Sequence, residues 1–377
     1  MGVKADDTRI SVLTCSPGDE AYELFGHTAV RYVNKSKEMD VVFNYGFFDF
    51  NSPGFMWRFA LGETDYSLGC IPFSYFVPEY EKRGSSVTEQ LLDLTPEQEQ
   101  RLFEALVENC KPENKTFRYN YFYNNCTTKA RDKIIEVLSS DCKVVFEEED
   151  RQVTLRDELN RVAGEHPWFS FGINVILGSG IDGIATKDDL QFAPENFMND
   201  LNRAYFVDSE GNRRPVVKET VVLVEENKPQ GVRNNFTPFY AFLLLLLFTM
   251  VVMLCELRRK KTFWWYDILL MSMQGAAGVL ILFMWMFSEH PAVGPNFVIL
   301  LLNPLALILM PVLVSRIIKR KSPVYAWVQV GFVAIFVLSA ILGVQVYPVP
   351  LYFCAATLLA RSLFHIYKER ICELNIV

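Results

Sequence analysis

The first 237 of the 377 residues hold no Lys/Arg tract, no Cys-x-x-Cys pair and no two histidines at ligand spacing. A basic stripe is the footprint of nucleic-acid binding, and structural zinc needs clustered Cys and His, so this composition argues against both. Histidine is scarce altogether: of four, only His27 and His166 lie in this part. No cofactor is expected. No internal repeat or low-complexity segment is present. Apolar sequence, by contrast, is abundant and unevenly placed. Half the chain is hydrophobic, and residues 238–377 carry 11 Lys/Arg against 5 Asp/Glu, where residues 1–237 carry 26 against 39. An acidic first part joined to an apolar, weakly basic second part excludes a purely soluble protein.

A bilayer crossing needs about 17–25 apolar residues. Five runs qualify: Pro238–Leu257, Phe263–Phe287, Phe297–Ser315, Val324–Val346 and the shorter Leu351–Tyr367. Basic residues follow the first (Arg258, Arg259, Lys260, Lys261), third (Arg316, Lys319, Arg320, Lys321) and fifth (Lys368, Arg370), and are missing from loops Ser288–Asn296 and Tyr347–Pro350. Positive charge stays on the cytoplasmic side. Five spans therefore predict a cytoplasmic C-terminus and an exported domain over residues 1–237, with a membrane domain over 238–377. Met1–Asp6 has no apolar run, so the expectation is a mature or engineered form without its signal. Asp6 also breaks the myristoylation pattern.

Within the exported part, Ile10–Cys15, His27–Val33 and Val41–Phe48 read as strands, the last two as a hairpin. Thr95-Pro96-Glu97-Gln98 starts a helix with Leu102, Leu106 and Val107 on its apolar face. Asn124/Asn125 cap a second helix carrying Ala130, Ile134, Val137 and Leu138. Strands followed by helices indicate an α+β fold, while residues 150–235 carry weak signals. Of the five cysteines here, Cys15, Cys70, Cys110, Cys126 and Cys142, an odd number leaves one thiol free. With Cys126 free the other four allow three pairings, or need not pair at all; Cys110–Cys142, at two helix ends, is the favoured pair.

Cys126 opens the second helix in Tyr121-Phe122-Tyr123-Asn124-Asn125-Cys126-Thr127-Thr128. A helix N-terminus stabilises a thiolate, and its N–H groups, with Asn125 in support, can hold an oxyanion. The plainer reading is a buried structural cysteine. His27 begins a strand after Gly26 and is the candidate general base; otherwise it is a satisfied core histidine. Asn44 on the next strand is the candidate orienting residue, lying opposite His27 if the hairpin turns at Lys35–Ser36.

These motifs (Thr14-Cys15-Ser16-Pro17-Gly18, Phe25-Gly26-His27-Thr28-Ala29, Asn44-Tyr45-Gly46-x-Phe48-Asp49-Phe50 and Tyr121-x-Tyr123-x-Asn125-Cys126-Thr127-Thr128) resemble the Lnb family of bacterial lipoprotein N-acyltransferases. The resemblance covers the whole architecture. It implies a circularly permuted papain-like, NlpC-type domain in which His27 precedes Cys126, followed by an all-α membrane domain. It further implies acyl transfer from a membrane phospholipid, through a Cys126 thioester, to the N-terminal amine of a diacylglyceryl-cysteine lipoprotein at the inner membrane. Asn44 as a third member extrapolates beyond that resemblance.

In the membrane domain, His290 of the outward loop is a candidate headgroup contact or proton-transfer group, or simply an interfacial histidine, and Asn296 is a candidate substrate contact. Asn303 is a candidate substrate contact or, more simply, a helix-to-helix hydrogen bonder. Arg361 is expected to snorkel. The apolar stretch Trp168–Leu177, led by Trp168, is read as dipping into the bilayer to guide acyl chains, or as core. Two other readings stand beside the transferase: a cysteine hydrolase of the same fold acting on peptidoglycan peptides or lipid esters, and a non-enzymatic membrane-anchored binding module.

Overall fold

The computed structural model describes residues 7–20, 23–49, 51–147, 151–227, 235–319 and 324–374. Met1–Asp6, Phe50, Arg320 and Lys321 lie outside them. Two compact units emerge: Met1–Glu158 with Ile184–Val232, and Leu159–Gly183 with Arg233–Val377. The second unit thus gathers in a segment that the linear division at residue 237 assigns to the exported domain.

The first unit is built on strands β1 (Thr8–Cys15), β2 (His27–Asn34), β3 (Met39–Phe47), β4 (Asp65–Pro72), β5 (Val87–Leu92), β6 (Thr116–Arg118) and β10 (Val217–Val224). They form one sheet in the order β10-β5-β1-β2-β3-β4-β6, antiparallel throughout. A small second sheet joins β7 (Cys142–Val145), β8 (Tyr205–Asp208) and β9 (Arg213–Pro215). Its helices are α1 (Phe55–Leu61), α2 (Phe73–Arg83), α3 (Pro96–Asn109), α4 (Cys126–Leu138), α7 (Lys187–Leu190) and α8 (Pro194–Arg203); α5 (Leu155–Ala163) spans the boundary and α6 (Pro167–Ile176) lies in the second unit. This is the α+β class.

Strand alternation divides the side chains between two cores. On one face Ile10, Val12, Val30, Tyr32, Phe43 and Tyr45 pack against Leu102 and Leu106 of α3 and Ala130, Ile134 and Leu138 of α4. On the other, Leu13, Cys15, Ala29 and Val42 meet Phe76 and Tyr80 of α2. Thr95 and Gln98 form a full capping box at α3, with Pro96 in the first turn. Val107, expected on the apolar face, is 43% exposed; it lies one position past Leu106 and turns away from the sheet.

The hairpin differs from its expected register. β2 and β3 are joined by a 3-10 turn at Lys35–Lys37, with Glu38 left-handed, and pair Val30 with Phe43. That longer turn moves the register by two. Continued, it sets Gly46, not Asn44, across from His27. All described cysteines are free. The expected Cys110–Cys142 pair is not formed: Cys142 bonds Leu138 O and Gln98. Burial, with Cys70 nearby, raises the Cys110 thiol to about 11.

The second unit contains α9 (Pro238–Arg259), α10 (Trp264–Phe287), α11 (Leu305–Ile308), α12 (Met310–Ile318), α13 (Val324–Ile341) and α14 (Val349–Leu374). Among the described residues four helices, within α9, α10, α13 and α14, are long and apolar enough to cross a membrane. The expected third span is not one helix. It is a 3-10 turn at Phe297–Leu300 followed by the short α11 and α12. Pro304 and Pro311 lack the N–H that a continuous helix requires. Nor does Arg361 snorkel. It is 4% exposed, with Nε and Nη2 on Asp267 and Nη2 also on Glu256. His365 and Lys368 join the same carboxylates, at 2.8 Å each. These pairings let α14 run longer than its apolar stretch.

α6 belongs to this unit. Its Phe171 and Val175 pack on the cluster formed by Val298, Leu301, Phe336 and Leu351. Asn296 holds its C-terminal end, donating to Val175 O and Ile176 O at 2.9 Å each.

Candidate active site

Three elements of the first unit converge on Cys126. It is the first residue of α4, and Asn125 before it is the N-cap. Asn125 Oδ1 accepts from Thr127 N and Thr128 N, while Nδ2 donates to Tyr121 O and Phe192 O. With both amide protons engaged, its side chain holds the turn and has no donor for an oxyanion. The cap also occupies two of the helix's leading N–H groups. Among the described residues, the Cys126 N–H remains without a partner and is the backbone donor beside the sulfur.

His27 is the first residue of β2, beside Cys15 on β1. The turn that delivers it needs Gly26, whose φ is +75°; a Cβ there would lie 2.5 Å from Cys15 O. Asn44 Oδ1 lies 2.7 Å from His27 Nε2 and accepts from Gly46 N at 2.8 Å. Only an amide oxygen accepts from a backbone N–H, so the oxygen also faces the ring. Nε2 therefore carries the proton, leaving the Nδ1 lone pair to receive another. His27 and Cys126 lie close enough for the charge of each to act on the other. Asn44 thus meets His27 on the diagonal, two positions from the expected pairing. Gly46, which the sequence reading did not single out, allows this. A Cβ there would come 2.7 Å from His27 Cε1 and 2.8 Å from Asn44 Oδ1. The signal was the spacing Asn44-x-Gly46.

Electrostatics favour an ion pair. Burial opposes the Cys126 thiolate, but the His27 charge and hydrogen bond, the Thr28 N–H and the Thr127 hydroxyl outweigh it and bring the thiol to about 7. Burial likewise opposes the imidazolium, yet the Cys126 charge and its hydrogen bond, with that of Asn44, raise His27 above its ordinary value. Both residues are half-buried, so the pair is reachable. Around them stand Tyr66, Tyr80, Tyr119 and Tyr121, whose phenols burial raises first and the nearby Cys126 charge further. Aromatic walls with neutral phenols make the surroundings largely apolar. Among the described residues, no three His, Cys, Asp or Glu are grouped to hold a metal ion.

The other candidates lie in the second unit. Asn296 is 0% exposed, and its Oδ1 also accepts from Val298 N and Gln345 Nε2; its whole bonding capacity serves the fold. Asn303 lies in the turn before α11, and its Oδ1 accepts from Tyr325 OH of α13 at 3.0 Å. Trp168 is 45% exposed and donates to Phe236 O at 2.8 Å. His290 is half-buried, its N–H on Ser288 Oγ. His166 is the N-cap residue of α6.

An α+β domain presenting a paired cysteine and histidine, followed by apolar membrane helices, defines a membrane-bound thiol protein. A sequence model of the Lnb N-terminal periplasmic domain matches residues 2–157, and one of the Lnb transmembrane domain matches residues 229–370. The chain belongs to the Lnb family, one of lipoprotein N-acyltransferases, and is a membrane protein with a periplasmic domain. No curated protein and no solved structure gives a significant match.

Proposed function

We propose that this protein transfers an acyl chain from a membrane phospholipid to the N-terminal amine of a diacylated lipoprotein, by way of a thioester on Cys126. The observation that carries the reading is Cys126 at the start of α4 beside an Asn44-oriented His27, each favouring the other's charged form, in a chain of the Lnb family. His27 Nδ1 takes the thiol proton. The thiolate attacks the phospholipid ester carbonyl, and the Cys126 N–H bonds the oxyanion. His27 returns the proton to the departing lysophospholipid oxygen, leaving the thioester. The lipoprotein amine then attacks, His27 takes its proton, and the thiolate leaves as the amide forms. An α-amino group has a pKa of about 7.7–8.0, so a usable fraction is neutral near pH 7.

Asn44 serves as the orienting third member. A permuted papain-like topology fits the order His27 then Cys126. Exposed apolar side chains on the segment after Asn44, Phe47, Trp57 and Phe59, suit lipid substrates better than peptidoglycan peptides. The placement we propose is a bacterial cytoplasmic membrane with the C-terminus inside: the broken segment from Phe297 to Ile318 crosses along with α9, α10, α13 and α14, and the basic loops alternate accordingly.

Intact mass of the purified protein after incubation with phospholipid tests the reading. A fatty-acyl increment that requires Cys126 is expected, and it should discharge onto an added diacylated lipopeptide. Discharge only as free fatty acid would make the protein a hydrolase. No increment in folded parent protein would reject the thioester route.

A further inference from the structure

A second polar site lies wholly inside the membrane unit. A cavity of about 30 Å³ is lined by Asp267 and Gln274 of α10, Tyr325 and Gln329 of α13, and Arg361 and His365 of α14. Among the described residues two buried donors there have no partner: Arg361 Nη1 and Gln329 Nε2. Their residues are 4% and 2% exposed. The rest of each side chain is fixed. Arg361 Nε and Nη2 hold Asp267 and Glu256, and Gln329 Oε1 accepts from Gln274 Nε2 at 2.7 Å. Rotation therefore cannot satisfy either donor without breaking another bond. A buried donor left unmade costs about 1–3 kcal/mol, more when charged, so two lining one cavity point to an acceptor that fills it.

The size and charge of the site narrow the acceptor. Such a volume takes roughly two water-sized groups, which matches the two non-bridging oxygens of a phosphodiester. Arg361 and Lys368 already balance Glu256 and Asp267. A charge-balanced cluster favours a ligand without net charge, such as a zwitterionic headgroup, over a free phosphate ion. The site lies near the starts of α10 and α13, within reach in sequence of Arg258–Lys261. That is the headgroup level of a leaflet, at the end of α9 remote from Pro238.

We propose that this cavity binds the phosphate of a zwitterionic phospholipid headgroup through Arg361 Nη1 and Gln329 Nε2. The site is separate from the Cys126 chemistry and does not depend on it. The test uses the full chain reconstituted in phosphatidylethanolamine nanodiscs, then moved into detergent and weighed by native mass spectrometry. The parent should retain one phospholipid. Gln329→Glu keeps the bond from Gln274 and puts a carboxylate in the cavity, so it should lower retention at least about tenfold, the worth of one hydrogen bond to a charged group, without lowering the melting temperature. Gln329→Met, which removes the donor without adding charge, should also lose the lipid and serves if the first variant does not fold. Equal retention by parent and variants, or no retained lipid in the parent, overturns the proposal. So does stabilisation of lipid-free parent by millimolar inorganic phosphate without lipid retention, which would assign the donors to the free ion.

Discussion

At the scale of single residues, the site rests on a thiol whose burial would keep it neutral and whose neighbours reverse that preference. Its ordinary value is 9.0, and here it is about 7. Alkylation of Cys126 by iodoacetamide, followed by site-resolved mass spectrometry, should therefore rise through pH about 7, well below the ordinary thiol value. In His27→Ala the burial remains while the opposing charge is gone, so the inflection should move above the ordinary value. An unmoved inflection would mean that His27 does not hold the thiolate. Cys126 and His27 were legible because each is announced by a local rule, a helix start and a strand after glycine. Gly46 was not, because its role is the space a Cβ would fill, and that space exists only once β2 and β3 are in register.

At the scale of elements, the first turn of α4 is the most constrained piece of the site. Asn125 caps two N–H groups and holds two carbonyls, from Tyr121 and Phe192. Asn125→Ala loses the cap, at about 1 kcal/mol, and strands those carbonyls, at roughly 1–3 kcal/mol. Denaturant titration of the purified protein should show a loss of about 2–4 kcal/mol, and acyl transfer should fall with the misplaced Cys126 N–H. A loss under about 0.5 kcal/mol would reject this account. The helix itself, and α3 with its capping box, could be read from the sequence because caps are local. The third span could not. Its composition is apolar enough for a helix, but Pro304 and Pro311 interrupt it, and apolarity carries no information about backbone continuity. Arg361 failed for a related reason: its partners come from helices about 94 and 105 residues distant in sequence.

At the scale of the whole molecule, the alternation of basic and uncharged loops gives a topology that labelling can check. A cysteine placed at Ser288 should react with a membrane-impermeant maleimide on intact cells, and one placed at Lys260 only after permeabilisation. The reverse pattern would invert the orientation. The two-part organisation was plain from charge and apolar runs, but the excursion of residues 159–183 was not, since its partners, Asn296 and the cluster around Leu351, are distant in sequence. That excursion has a consequence in time. During synthesis, α6 emerges roughly 180 residues before Leu351 of α14. At about 5–20 residues per second, Phe171 meets Phe242 of α9 early, but the cluster around Leu351 is complete only on the order of 10–40 s after α6 emerges. Throughout that interval the nascent chain must shelter Phe171 and Val175 against the bilayer surface or a chaperone, and a fragment ending before the spans would never release them from that shelter.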